Sequence, residues 1–410
     1  MGNLMSSNSK KTWLCGSISM LECYDFGLAL SLAPILSKVF YTNTPTLSLI
    51  VYYIIIMIGY FSRPIGAIVI GFFGDKYGRK KTYIANTFIM LIATIMLVFT
   101  PSSQSIGALA VFIFLLLRMI QGFSFGGEVG GGLTLCYEYG IPKYSLKFCA
   151  IFEALTSAGT ILVTSIIAIL VYSISPQSMI DYGWRIAFAF GAVLTFISYL
   201  LRFKLTETFH PKSQKHPPIY DLFLNYKKRL TLAILLSLVT VSITITGVFL
   251  PIILLKITSL TFKDVSYLHI YSSVALLISS LLVATFFPQR FFAKSWLIAV
   301  FIQIIFSILL FTVGLHFNLE VWMIIAGIIN GLISTLTIGY IPSIFPKNIR
   351  YTATSLSFSI AIIIIMLLNL FILYTTHYVH MMPIIVLCVI LISGVTFTYS
   401  GVISRDLKNS

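Results

Sequence analysis

Runs of about 20 apolar residues recur from one end of this chain to the other, each long enough to cross about 30 Å of hydrocarbon as a helix. A chain built this way must satisfy its backbone inside lipid, and short alternating segments of the kind that close a β-barrel are not what it shows. Of its 410 residues 58% are hydrophobic and 10% charged, with mean hydropathy +0.99. The fold class expected is therefore all-α and polytopic, with spans near 13–40, 47–73, 83–100, 107–136, 148–173, 184–203, 230–255, 266–288, 295–315, 321–343, 351–375 and 382–403. The first run is too long, and carries Glu22 and Asp25, so it reads as a permanent span and not a cleaved leader.

Twelve spans put both termini on one side. The net charge is +15, but it is distributed by side: loops on the N-terminal side hold about 21 Lys and Arg and the opposite loops about 4, the bias of cytoplasmic loops. The positive charge is thus a topology signal with some affinity for anionic lipid, and nucleic acid is excluded as a partner. Residues 204–229 are the longest polar stretch, with Pro211, Pro217 and Pro218. They divide residues 1–203 from 230–410, six spans from six, the layout of transporters made of two pseudo-symmetric halves.

The basic turn GFFGDKYGRKK at 71–81 lies between the second and third spans. Lys76, Arg79, Lys80 and Lys81 place it at a water interface, Gly71, Gly74 and Gly78 permit tight turns or close helix approach, and Asp75 is its single acid.

Ionisable residues at bilayer depth are costly and are candidate functional groups. The first half holds Glu22, Asp25, Arg63, Arg118, Glu128 and Glu153 within spans, whereas the second offers neutral Gln303, Asn330 and Asn369. Asp25 lies about 18 Å into the first span and Arg63 about 15 Å from the basic end of the second, ahead of Pro64. In the fourth span Gly122, Gly126 and Gly130 form a small-residue stripe for close packing, while Arg118, Gln121 and Glu128 share another face at steps of three and seven. No GK[ST] follows those glycines, so they are not a phosphate-binding loop. Each intramembrane charge has a plainer reading too, as half of a buried ion pair that only holds helices together. Neither the six scattered histidines nor Cys15, Cys23, Cys136, Cys149 and Cys388 form a metal or nucleophile pattern, so no enzyme activity, metal or cofactor is expected.

These stretches resemble the major facilitator superfamily, and within it the metabolite:proton symporters that include proline/betaine transporters. The turn at 71–81 is similar to the superfamily's loop between spans 2 and 3, and LECYDFG at 21–27 to the subfamily's LEWYDFG, with Cys23 in place of Trp. RPIG at 63–66, RMIQGFSFGGEVGG at 118–131, GWRIAFAFG at 183–191, LTET at 205–208 and IPSIFPKNIRYTATSLSFSIA at 341–361 follow in order. The resemblance implies twelve helices in two halves, and uptake of a small osmolyte or organic acid with protons by alternating access, in a monomer of the inner membrane. On it, Asp25, Glu22 and Glu128 are coupling carboxylates. Arg118 tunes them, since a cation favours the charged carboxylate and burial the neutral one. Gly71, Asp75, Gly78, Arg79, Lys80 and Glu138 latch the cytoplasmic side. Arg118, Arg63, Tyr24, Phe26, Gln121, Phe125 and Asn330 are the expected substrate contacts. A proline- or betaine-type zwitterion is favoured, needing an anion site and either a cation site or an aromatic face. The arginines equally suit 2-oxoglutarate or citrate, and an uncoupled facilitator on the same fold is the other alternative.

The chain also departs from the pattern. The loop between spans 8 and 9, FFPQRFFAKSW, has Arg290 and Lys294 without an Asp–Gly–Arg core, so the latch is expected to work from one side only. Phe358-Ser359 replaces a Tyr-Asn pair, and the end soon after the last span predicts no coiled-coil tail and no osmotic activation.

Overall fold

The computed structural model describes residues 2–40, 45–140, 144–209, 217–241, 262–312 and 318–375. Among them are helices and no strand. We label the long helices α1 (Gly2–Ser31), α2 (Pro45–Tyr77), α3 (Arg79–Val98), α4 (Ala108–Tyr139), α5 (Ser145–Ser173), α6 (Trp184–Arg202), α7 (Lys227–Val241), α8 (Phe262–Phe286), α9 (Phe292–Thr312), α10 (Leu319–Ile338) and α11 (Arg350–Thr375). Among the described residues eight helices are long and apolar enough to cross a membrane, nine when the bent pair Asn8–Ser31 and Ala33–Phe40 is one span. Of the expected spans, 382–403 and the later part of 230–255 lie outside the described residues.

The first span is not the single rod its hydropathy suggests. It turns by 59° at Leu32, two residues before Pro34, which lacks an N–H and crowds the preceding turn. The other helices run past the apolar boundaries into charged residues: Asp75, Arg79, Glu138 and Arg350 are all helical. They can be so because they pair with one another, as shown below.

The bundle is turned inside out relative to a water-soluble protein. Ile298, Phe301, Phe112 and Phe99 are among the many large apolar side chains that are exposed, while Glu22, Asp25, Arg79, Arg118, Gln121, Glu128 and Arg202 are buried. Helices α1–α6 pack among themselves, and they meet the later helices through two pairs of contacts, α2 and α4 with α11, and α5 with α8 and α10.

Glycine sets how close α4 comes to its neighbours. A Cβ on Gly122 would strike the Gly59 carbonyl, and one on Gly126 the Arg63 carbonyl, both on α2; one on Gly130 would strike Ser355 of α11. The stripe expected from the sequence therefore serves two partners. Over-packing a tight contact costs about 1–3 kcal/mol, so Gly126→Val is expected to lower the thermal stability of the purified protein by about that amount. An unchanged melting temperature would show that the α2–α4 contact is slack.

Candidate functional site

Among the interior charges of α1–α6, Asp25, Arg63 and Arg118 gather at one level and Glu22, Glu128 and Arg202 at another. In the first, Asp25 of α1 accepts through Oδ2 from the Thr94 hydroxyl of α3 and from Gln121 Nε2 of α4 at 3.2 Å. Gln121 Oε1 in turn accepts from Arg118 Nη1 at 2.7 Å. The amide thus stands between carboxylate and guanidinium, and no direct ion pair joins Asp25 to Arg118. Asp25 Oδ1 is buried without a hydrogen-bond partner.

Phe26, next in sequence, joins this cluster to Arg63. Its ring stacks on Phe125 at 4.3 Å and meets Tyr60 edge-on at 5.1 Å. The Arg63 guanidinium sits against all three rings, 4.6 Å from the centroid of Phe125, 5.1 Å from Phe26 and 5.5 Å from Tyr60, and Arg118 lies 4.9 Å from Phe26. Such faces attract cations through the ring quadrupole, more strongly away from water.

The second cluster is built on Arg202, the last residue of α6. Its Nη2 donates to both Glu22 of α1 and Glu128 of α4, and its Nη1 to the Tyr83 carbonyl of α3 at 2.6 Å. The guanidinium also lies over the Tyr83 ring, 3.5 Å from its centroid. Ser198 donates to Glu22 at 2.9 Å and Asn86 to Glu128 at 3.1 Å. Four helices are thereby tied at one point.

At the end of the bundle that carries the basic turn, a third cluster joins α2, α3 and α4 to α11. Asp75 accepts from Tyr351 N at 3.2 Å, Thr352 N at 2.9 Å and the Thr352 hydroxyl at 2.6 Å. These are donors in the first turn of α11, which has no partner of its own for them, and an anion there is further favoured by the helix dipole. Arg79 pairs with Asp75 and reaches Glu138 at 3.4 Å and the Lys347 carbonyl at 2.6 Å. Glu138 also binds Arg350 at 3.0 Å. Gly78 has φ +110°, a value that suits only glycine. The Glu207 carboxylate packs against Gly78 and caps α3, accepting from Arg79 N at 2.8 Å and Lys80 N at 3.0 Å.

Residues 15–365 match the Major Facilitator Superfamily. The chain belongs to this superfamily. Among curated proteins it is 27% identical, over 87% of its length and 80% of theirs, to a "Putative proline/betaine transporter" of Staphylococcus aureus (strain COL). It is 32% identical to the citrate-proton symporter of Klebsiella pneumoniae over 48% of this chain and 45% of that one. The inner membrane metabolite transport protein YhjE of Escherichia coli (strain K12) is 26% identical over 87% of this chain and 86% of its own. Among solved structures, the proton:xylose symporter XylE superposes with TM-score 0.74 at 13% identity, covering 98% of this chain and 96% of that one. The chain is a multi-pass membrane transporter and not an enzyme.

Within this major facilitator fold several residues stand elsewhere than the sequence implies. Glu128 does not share a site with Arg118 and Gln121; it pairs with Arg202, which sequence reasoning missed because a cation at the end of a span reads as one more loop charge. Tyr24 turns away from the Arg63 rings, donating to the Ala187 carbonyl at 3.1 Å and meeting Phe190 at 5.5 Å, both on α6. Lys80 does not reach the later helices; its Nζ binds the Phe203 carbonyl at 2.8 Å. Gly71 is where α11 comes closest, since a Cβ there would meet Thr352. Asn330 is buried on α10, one turn from Ser334 on the same face. The latch is not confined to the first six helices, because α11 supplies Arg350, Tyr351 and Thr352. A neutral counterpart also stands at the α8–α9 turn, where Gln289 Oε1 accepts from Lys147 N at the start of α5 at 3.4 Å.

Proposed function

We propose that this chain is a proton-coupled symporter of a small zwitterionic osmolyte, working by alternating access in the cytoplasmic membrane, as a monomer with both termini and the 71–81 turn on the cytoplasmic side. The orientation rests on the Lys and Arg bias of the loops. The substrate reading is supported by the relative named for proline and betaine, and coupling by the symporters among the relatives and structural neighbours.

The observation that carries the coupling is the interior charge count. Among the described residues Glu22, Asp25, Glu128 and Glu153 stand against Arg63, Arg118 and Arg202, four carboxylates to three guanidiniums. A net buried charge is expensive, and one bound proton removes it. Glu22 and Glu128 both touch Arg202, whereas Asp25 forms no ion pair with Arg118 and is bridged to it by Gln121. We therefore assign the coupling proton to Asp25, with Arg118 and Gln121 relaying its charge state to the Phe26–Arg63 site. A zwitterion leaves this balance unchanged, while a dicarboxylate brings two further negative charges to it. Carriage of citrate or 2-oxoglutarate is the second reading, favoured by the citrate-proton symporter relative and by two arginines beside Phe26.

The test is uptake by purified protein in proteoliposomes, offering proline, betaines, 2-oxoglutarate and citrate with and without an imposed pH gradient. Accumulation of a zwitterion only with the gradient supports the reading; equal uptake in both conditions would mean an uncoupled facilitator.

In this reading the Asp75 cluster is the cytoplasmic gate, seen closed. Hydrogen bonds to a charged group are worth about 1.5–3 kcal/mol each. Asp75→Asn removes the charge facing Arg79 and the α11 N-terminus, so the closed state is expected to lose population by at least about tenfold. A cysteine at buried Ser355, in a background without native cysteines, reports this as faster labelling by a water-soluble thiol reagent. Unaltered labelling would remove Asp75 from the gate.

A further inference from the structure

Glu153 belongs to none of the three clusters. It lies eight residues into α5, about 12 Å from that helix's start. Its position across from the later helices follows from register. A Cβ on Gly339, just past α10, would touch Leu146 and Cys149 of α5. The two helices run in opposite directions there, so one turn further along α5 brings Glu153 level with Ser334, and the two side chains interact. Glu153 is partly buried and forms no ion pair among the described residues.

Arg63 is the complementary case. It is 6% exposed, its Nε has no partner, and among the described residues its guanidinium makes ring contacts and no hydrogen bond. Cys23 of α1 packs on Gly159 of α5, and its sulfur is within electrostatic reach of both Glu153 and Arg63. A guanidinium on α2 and a carboxyl on α5, neither in an ion pair among the described residues, thus share one small interior side chain as a neighbour.

The rings matter for what can bind. Phe26, Tyr60 and Phe125 would make a cage for a quaternary ammonium, but the protein's own guanidinium already occupies it. A ligand's positive end must be met elsewhere, and its negative end finds Arg63, whose planar N–H fork suits a carboxylate.

We propose that Arg63 and Glu153 form a dipolar clamp for the transported zwitterion, Arg63 binding its carboxylate and Glu153 its ammonium, and that the clamp selects amino or imino acids, whose ammonium carries N–H donors, over fully methylated betaines. A charged hydrogen bond is stronger than charge attraction alone, and a site built to accept one rejects an analogue without the donor. This deepens the osmolyte-symport reading and rests on it.

The test is counterflow exchange in proteoliposomes with no pH gradient, which reads substrate binding apart from proton coupling. Wild-type protein is expected to exchange proline with a KM at least about tenfold below that for glycine betaine, the weight of one charged hydrogen bond. Glu153→Gln is expected to raise the proline KM about tenfold and the betaine KM less than about threefold, with Glu153→Asp intermediate. A purely structural effect would move both substrates together, and that result, like an unchanged proline KM or a wild-type preference for betaine, overturns the clamp. If zwitterions are exchanged equally by wild type and Glu153→Gln, the clamp alone falls; if wild type exchanges citrate and no zwitterion, the osmolyte reading falls with it. If Glu153→Gln does not purify as a monodisperse protein, the wild-type proline-to-betaine ratio decides.

Discussion

Arg202→Met is expected to yield little or no folded transporter. The substitution keeps an unbranched side chain of helical propensity in α6 but leaves Glu22 and Glu128, which now share one guanidinium, facing each other in a buried site. Removing one partner of a buried ion pair costs about 3–5 kcal/mol, because the remaining charge is left without compensation. Here two like charges remain, and the bonds to the Tyr83 carbonyl and ring disappear as well. The physical cause predicts its own remedy. Glu22→Gln and Glu128→Gln added to Arg202→Met remove all three charges while keeping acceptors for Ser198 and Asn86. Size exclusion and thermal melting in detergent are expected to show recovery in the triple variant. A stable Arg202→Met single variant would mean that the site is open to water or already holds protons.

Much of the fold was legible because lipid leaves so few options. An apolar run of the right length must be a helix, and the described helices follow those runs closely. What escaped was three-dimensional. Tyr24 and Phe26 are two residues apart, so they stand on opposite sides of α1, and only Phe26 meets Arg63. Glu128 shares a helix face with Gln121, yet seven residues separate them by about 10 Å along the axis, enough to put them in different clusters. Thr94 and Asn86 carry no signal, since a neutral polar residue in an apolar helix usually bonds its own backbone. Apart from Arg79, the partners of Asp75 lie on α11, and nothing in the turn at 71–81 says that a distant helix will present its N-terminus there. The expectation of a one-sided latch rests on a missing acid between spans 8 and 9, where Gln289 accepts from Lys147 N at the start of α5; a helix end offers free N–H groups to a neutral acceptor as well as to an acid.

Asp25→Asn is expected to abolish pH-gradient-driven accumulation while leaving exchange intact. The amide has the shape of the carboxyl, and its oxygen can still accept from Thr94 and Gln121, so α1, α3 and α4 keep their contacts. Its charge is fixed at zero. Among the described residues the interior then holds three carboxylates and three guanidiniums, a balanced set that no longer gains from binding a proton. In the proposed coupling, proton and substrate are linked because the charged interior is costly to carry through the occluded state, and protonation lifts that cost. With Asn the interior is balanced without a bound proton, so the helices can exchange access with substrate alone. The variant is therefore expected to show counterflow within about twofold of wild type, no accumulation against a gradient, and a flat pH profile. The contrast between the two assays separates coupling from folding, since misfolded protein would lose both. Full gradient-driven accumulation by Asp25→Asn would move the proton to Glu153, the other interior carboxylate without an ion pair among the described residues, and the clamp proposed for it would then have to be reconsidered as a coupling site.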